Sequence, residues 1–262
     1  MIELPSLKEL LDAGAHFGHK KERSYPKAKQ YTYMLKDQIY VIDLEKTREK
    51  LEEALKYIEK MATEGKALLI VGTKRQAQEL VAQYAKAADL PYISYRWLGG
   101  MLTNFETIRR RIKFLDELDG KLSEENLQSL TKKEKAKLQE EANKLHKVFD
   151  GIRNLKKLPD ALFIVDVVGE KIAICEAQKM DIPVIGIADT NANPELIQYP
   201  IPANDDAKKT IEIILALVSK AYQEGAKKMK VDKGEKLEKK DEKSVEVVRK
   251  GDKGVGAVKQ EE

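Results

Sequence analysis

The sequence predicts a doubly wound α/β fold, a parallel sheet with helices on both faces. Three observations predict it. Short apolar runs alternate with longer amphipathic ones; the apolar runs are nearly continuous, as burial on both faces demands; and strand, helix, strand in succession is the order that parallel crossovers require. At 262 residues the chain suffices for one such domain with an excursion or a tail, and is too short for two ordinary domains with linkers.

Residues 39–42 read as the first strand, after which Asp43 can cap a helix through Met61 whose Leu51, Ala54, Leu55, Ile58 and Met61 recur at helical spacing. Residues 67–71 are the next strand. A helix over 76–88 follows, with Leu80, Val81, Tyr84 and Ala88 on one face, and 92–94 form a short third strand after the breaker Pro91. Residues 161–165 and 184–187 are the fourth and fifth strands, separated by a helix over about 171–180. A final helix over about 205–222 carries the stripe Ile211, Ile214, Leu215 and Val218.

The rhythm breaks between Asn104 and Leu158, where no strand candidate occurs. Ile108, Ile112, Leu115 and Leu118 step by three or four, and after a polar middle Leu138, Ala142, Leu145, Phe149 and Ile152 do the same. Narrow apolar seams, wide charged faces and a loop around 120–130 describe an antiparallel helical hairpin, a short coiled coil standing off the sheet. Beyond Gly225 the composition turns to Lys, Glu, Asp, Gly and Val without an aromatic residue. Such a segment buries too little apolar area to offset ordering, and is expected to be disordered or transiently helical. The expected organisation is a discontinuous body, 1–103 and 158–224, an inserted hairpin, 104–157, and a charged tail, 225–262.

Charged residues make up 35% of the chain, yet 48 Lys and Arg against 44 Asp and Glu leave only +4, so the distribution of charge matters more than its sum. The single cysteine, Cys175, cannot form an internal disulfide, and the first twenty residues lack the apolar core of a signal peptide, which points to a reducing cytosol. No apolar run approaches a membrane span, so a soluble protein is expected.

The run Tyr95-Arg96-Trp97-Leu98-Gly99-Gly100-Met101-Leu102-Thr103-Asn104-Phe105, followed by Arg109-Arg110-Arg111, joins the only tryptophan, a Gly-Gly joint and a helix start rich in arginine. These parts suit docking on a polyanion better than catalysis. Gly72-Thr73-Lys74-Arg75 places a basic turn between strand and helix, where a phosphate would be welcome, but lacks the spaced glycines of nucleotide-binding loops. His16 and His19 are three apart and could share a metal, yet no carboxylate or thiol sits beside them at a ligand-like spacing; no metal is expected. From Lys20 to Tyr31, bases interleave with tyrosines in a loop, a mixture that serves RNA or a plain solvated surface. Asp189-Thr190-Asn191 and Asp205-Asp206, the latter after a turn over 199–204, could hold Mg2+ or do acid-base work, but turn and cap chemistry already explains them. No nucleophile elbow or Ser-His-Asp order accompanies them.

Several blocks together carry a resemblance. They are Leu11-Asp12-Ala13-Gly14-Ala15-His16-Phe17-Gly18-His19, Ile42-Asp43-Leu44-Glu45-Lys46-Thr47, Val71-Gly72-Thr73-Lys74-Arg75-Gln76-Ala77, Arg96 through Phe105, Leu158-Pro159-Asp160-Ala161, Asp189-Thr190-Asn191, and Tyr199 through Ala207. In this order, over about residues 5–224, the chain resembles the family of the second protein of the bacterial small ribosomal subunit. The resemblance implies a flavodoxin-like five-stranded parallel sheet interrupted after its third strand by a protruding helical hairpin. It also implies binding to small-subunit ribosomal RNA between head and body, help in docking the subunit's large first protein, a cytoplasmic ribosomal location, no catalysis and no cofactor. Asp166-Val167, where the family often has Asp-Pro, and Ala203, where it usually has Gly, depart from the pattern and bear on local turn geometry.

The resulting expectation is a clamp whose cations neutralise phosphates of separate RNA helices. Arg109, Arg110, Arg111 and Lys113 lead, because guanidinium groups grip phosphate oxygens in pairs and a helix spaces them. Lys20, Lys21, Arg23, Lys27 and Lys29 follow, then Lys74, Arg75 and Arg96. Trp97 could stack on a nucleotide or plug the root of the arm into the core, and Thr103 or Asn104 is expected to cap the arm's first helix. A nucleotide-handling enzyme acting near Gly72 to Arg75 and a hairpin-mediated protein adaptor are the two alternatives.

Overall fold

The computed structural model describes residues 3–122 and 131–251, and in the last helix the side chains as far as Met229. The expected hairpin loop at 120–130 falls mostly outside the described residues, as does the tail after 251.

A capping box at Ser6 and Glu9 starts α1, Leu7–Asp12. Three strands follow, β1 (Phe17–Lys20), β2 (Thr32–Lys36) and β3 (Ile39–Ile42), forming an antiparallel sheet of order β1-β3-β2. Asp37 and Gln38 take positive φ, 48° and 63°, as the tight two-residue turn between β2 and β3 requires. Residues 39–42 are thus a strand as expected, but of this small sheet and not of the parallel one.

The parallel sheet comprises β4 (Leu68–Val71), β5 (Tyr92–Ile93), β6 (Ala161–Ile164), β7 (Val184–Ala188) and β8 (Tyr199–Pro202), in spatial order β5-β4-β6-β7-β8. Counted along the chain this is 2-1-3-4-5, the flavodoxin-like order. Its fifth strand is the segment read from sequence as a turn. Pro200 and Pro202 argue against a strand, but β8 lies at the sheet edge and pairs on one side only, with β7, where missing N–H groups are tolerated.

Helices α2 (Leu44–Thr63), α3 (Gln78–Ala87) and α7 (Lys208–Gly251) cover one face, and α4 (Phe105–Lys121), α5 (Lys132–Phe149) and α6 (Lys171–Lys179) the other. Strand residues alternate between the two cores: Leu68, Ile70, Ala161, Phe163, Ile185 and Ile187 face the first, Leu69, Val71, Leu162, Ile164 and Val184 the second. The Asp43 carboxylate caps α2 by accepting from the N–H groups of Glu45 and Lys46 at 3.0 and 3.4 Å.

Ile108, Ile112 and Leu115 of α4, with Ala142 and Phe149 of α5 and Ile152 beyond it, are buried in the same core as the sheet's second face. Along the shared flank, Arg153 holds Asp116 and Asp119 of α4, and His146 of α5 lies between Asp119 and Asp150. α7 also exceeds its sequence reading, running past Gly225, where a tail was expected to begin. Gly225 is a close approach: a Cβ there would meet the Glu59 carbonyl oxygen of α2 at 2.3 Å. Lys228 pairs with Glu59 beyond that contact, and the Lys- and Glu-rich composition that follows contains good helix formers.

Candidate nucleic-acid interface

Helix α4 begins at a loop built around one buried carboxylate. Glu176 of α6 accepts from the Trp97 indole N–H at 3.2 Å, the backbone N–H groups of Gly100, Leu102 and Thr103 at 2.7, 3.0 and 3.2 Å, and the Thr103 hydroxyl at 3.2 Å. Burial works against this charge, but the N–H donors of Leu102, Gly100 and Thr103 outweigh it and hold the Glu176 carboxyl below the usual carboxylate range. Gly100 takes φ +91°, which lets the loop curl around the carboxylate. Of the two roles open to Trp97, the structure gives it the plug. The ring is buried and its N–H is used inside the protein. Asn104 is the N-cap residue of α4 but makes no side-chain capping bond, and Thr103 serves Glu176 instead.

From this root α4 presents Arg109, Arg110, Arg111 and Lys113, all exposed, opposite the buried Ile108 and Ile112. Arg110 donates to Thr107 at 3.0 Å; among the described residues none of the four has a carboxylate partner. Arg109 also lines an open groove of about 520 Å³ with Lys156 and Lys157. Those two lysines were missed from sequence, where they lie at the arm's far end. Of the helix's own acids, Asp116 and Asp119 are taken by Arg153, at 2.5 and 2.7 Å, and Asp119 also by His146 at 2.9 Å, while Glu106 and Glu117 form no ion pair with the row among the described residues.

The remaining candidates divide. Lys20, Lys21, Arg23, Lys29, Arg75 and Arg96 are exposed and, among the described residues, have no ion-pair partner. Lys27 is engaged by Glu195. Lys74 is also engaged: its ammonium lies 2.7 Å from both Asp205 and Asp206 and 3.8 Å from Asp166. Burial opposes its charge, yet the bonds to Asp205 and Asp206 keep its pKa above the ordinary lysine value. Gly72, beside it, is required by packing, since a Cβ would meet Val81 at 2.8 Å. No hydrogen bond or ion pair among the described residues links the cations between Lys20 and Lys29 to the arm.

The two acidic turns are internal clamps. His19 Nδ1 lies 3.1 Å from Asp189, its backbone N–H donates to the Thr190 hydroxyl at 2.7 Å, and the Asn191 amide lies 3.2 Å from Nε2. Gly18 makes this approach possible, because a Cβ would meet Thr190 at 2.6 Å. These contacts tie β1 to the carboxyl end of β7. Among the described residues no group of three or more His, Cys, Asp or Glu is arranged to hold a metal ion. At Asp166-Val167 the turn is fixed by the Asp166 side chain, which accepts from the N–H groups of Val168 and Gly169 at 2.8 Å.

Protonation couples these clamps to pH. The bond to Asp189 raises His19 above its ordinary 6.5, and burial, with the Asp166 charge, pushes Asp205 up to about 7 against the pull of Lys74. For His19 the raised value means that the stabilisation by Asp189 is complete below 6.5 and is lost as pH rises through the folded value; for Asp205 it means that burial penalises the ionised form, a cost that sets in as pH rises from 3.8 towards about 7. Replacing Lys74 with methionine is expected to cost about 3 kcal/mol at pH 8, where Asp205 must either stay ionised without its partner or take up a proton against the prevailing pH. The cost should be smaller at pH 6, where Asp205 takes up a proton. Melting curves of both chains at the two pH values check this; an equal loss at both would remove Asp205 from the explanation.

A family model described as Ribosomal protein S2 matches residues 10–225. The small ribosomal subunit protein uS2 of Dictyoglomus thermophilum is 48% identical over 219 residues, covering 84% of this chain and 89% of that protein. The protein of the same name from Thermus thermophilus is 47% identical over 211 residues, covering 80% and 82%, and that from Helicobacter hepaticus 43% over 233 residues, covering 89% and 88%.

Proposed function

The chain belongs to the ribosomal protein S2 family, and from that premise we propose that phosphate contacts to small-subunit ribosomal RNA hold it in place, where it helps dock the subunit's large first protein. It is a structural constituent of the small ribosomal subunit, serving translation on the cytoplasmic ribosome, and not an enzyme. No helix among the described residues is long and apolar enough to cross a membrane.

One observation carries the RNA part of the proposal. Within a chain that has nearly as many acids as bases, the row Arg109, Arg110, Arg111 and Lys113 has no carboxylate ion pair among the described residues, while two acids of the same helix, Asp116 and Asp119, are held by Arg153 and His146. Unpaired guanidinium groups at helical spacing are complementary to a line of phosphates, and recognition of duplex RNA rests mainly on backbone shape because its base edges lie in a deep groove. We take residues 104–157 as the gripping arm and 1–103 with 158–224 as the body that carries the second set, Lys20, Lys21, Arg23, Lys29, Arg75 and Arg96. Docking of the first protein is supported by the family resemblance alone. The nucleotide-enzyme alternative loses its support, since Lys74 is consumed by three carboxylates and Gly72 by packing.

Sedimentation of a cell lysate through a density gradient tests the proposal. The chain is expected to travel with small subunits and to be released by a high-salt wash. Travel as a free protein at low salt would overturn it.

A further inference from the structure

β2 lies at an edge of the small antiparallel sheet and carries three consecutive large apolar side chains in water: Tyr33 is 74% exposed, Met34 48% and Leu35 39%. Natural sheets avoid such an edge, because an unpaired apolar strand invites aggregation, and contiguous exposed apolar surface marks an interaction site. The charge around it selects the kind of partner. Lys29 precedes the strand and Lys36 ends it; Lys20, Lys21 and Arg23 lie on and after β1, the opposite edge of the same three-stranded sheet. Among the described residues these five cations have no ion-pair partner. A neutral or basic protein surface would be a poor match for this setting, whereas a nucleic acid satisfies both the apolar rings and the charge.

We propose that β2 is a stacking platform for unpaired bases of the bound RNA, with the Tyr33 ring against a base and Lys29 and Lys36 on the flanking phosphates. The inference rests on the RNA-binding proposal above and adds a different mode to it: contact with splayed bases of a loop or bulge, where α4 grips backbone. Every base has a π-face and duplex stacking hides it, so an exposed tyrosine bordered by lysines fits single-stranded nucleotides. The tyrosines that the sequence marks for this role, Tyr25 and Tyr31, are half-buried, and Tyr25 donates its backbone N–H to the Thr190 carbonyl at 2.8 Å. Tyr33, just outside that segment, is the exposed one.

The test measures binding of the full chain to small-subunit ribosomal RNA for Tyr33→Ala, Tyr33→Phe and the triple variant Arg109→Glu, Arg110→Glu, Arg111→Glu. Tyr33→Ala is expected to lose roughly 5- to 150-fold in affinity at fixed salt, with the slope of log affinity against log salt unchanged, while Tyr33→Phe keeps the affinity. The exposure of Tyr33 predicts unchanged melting, which separates a binding loss from misfolding. Wild-type affinity of Tyr33→Ala beside a weakened triple variant would overturn the platform and leave the arm proposal standing. Equal affinity of all variants would overturn both. Loss of affinity in Tyr33→Phe as well as in Tyr33→Ala would implicate the hydroxyl and overturn stacking, and normal RNA affinity of Tyr33→Ala with failed entry into particles would make the edge a protein contact.

Discussion

Exchange of Arg109, Arg110 and Arg111 for glutamate together is expected to lower the affinity for small-subunit ribosomal RNA by on the order of a thousandfold or more near 0.1 M salt, since each charge-assisted contact is worth roughly 1.5–3 kcal/mol. The salt dependence should change with it. Each neutralised phosphate contributes about 0.7–0.9 to the slope of log affinity against log salt, so removing three contacts should flatten the line by about 2 to 3. The side chains are exposed and make no ion pair among the described residues, and the melting temperature should therefore stay nearly constant. A triple variant that binds like the original, with the original slope, would take these arginines off the interface.

The second large effect concerns a residue that need not touch RNA. Glu176→Gln keeps the shape of the side chain but turns one acceptor oxygen into a donor, facing some of the N–H and O–H groups now served by the carboxylate. Leaving buried donors unserved costs about 1–3 kcal/mol each, so a total near 2–4 kcal/mol is expected, and more for Glu176→Ala. In a domain of this size that corresponds to roughly 5–15 °C in melting temperature. Because the carboxyl is held below its ordinary 4.5, its contribution is present above that value and fades as pH falls through the lower, folded one. The loop it holds launches α4, so RNA affinity should fall in parallel although Arg109, Arg110 and Arg111 are intact. A variant that melts like the original would show that the Trp97-to-Thr103 loop keeps its form without Glu176.

The helices and most of the parallel sheet were legible because apolar period and burial coincide there. Leu51, Ala54, Leu55, Ile58 and Met61 recur at helical spacing and all face one core, and Asp43 caps where its residue type says it should. Misreadings arose where tertiary context overrules local rules. Pro200 and Pro202 fit a strand because that strand is an edge, and Gly225 sits inside a helix because α2 presses against it. Residues 20–31 hid the short β1 and β2 on either side, whose lysines and scattered apolar residues give no clean alternation.

In the site, residue type identified the cations but not which of them are free. Lys74 and Lys27 look like Arg75 and Lys29 in sequence, and only the fold brings Asp205, Asp206 and Glu195 to the first two. Glu176 left one signal: it falls on the buried side of α6 beside Ala173 and Ala177, where a carboxylate needs donors to be tolerated. Lys156 and Lys157 gave none, because their partner in the groove, Arg109, is remote in sequence.

The most direct test of the central claim, that unpaired cations on a structural scaffold grip ribosomal phosphates, is the binding curve of the unaltered chain on small-subunit ribosomal RNA at graded salt. With about six to ten phosphates engaged, affinity should fall roughly a thousandfold or more between 50 and 200 mM salt. An affinity that scarcely changes across that range would contradict it.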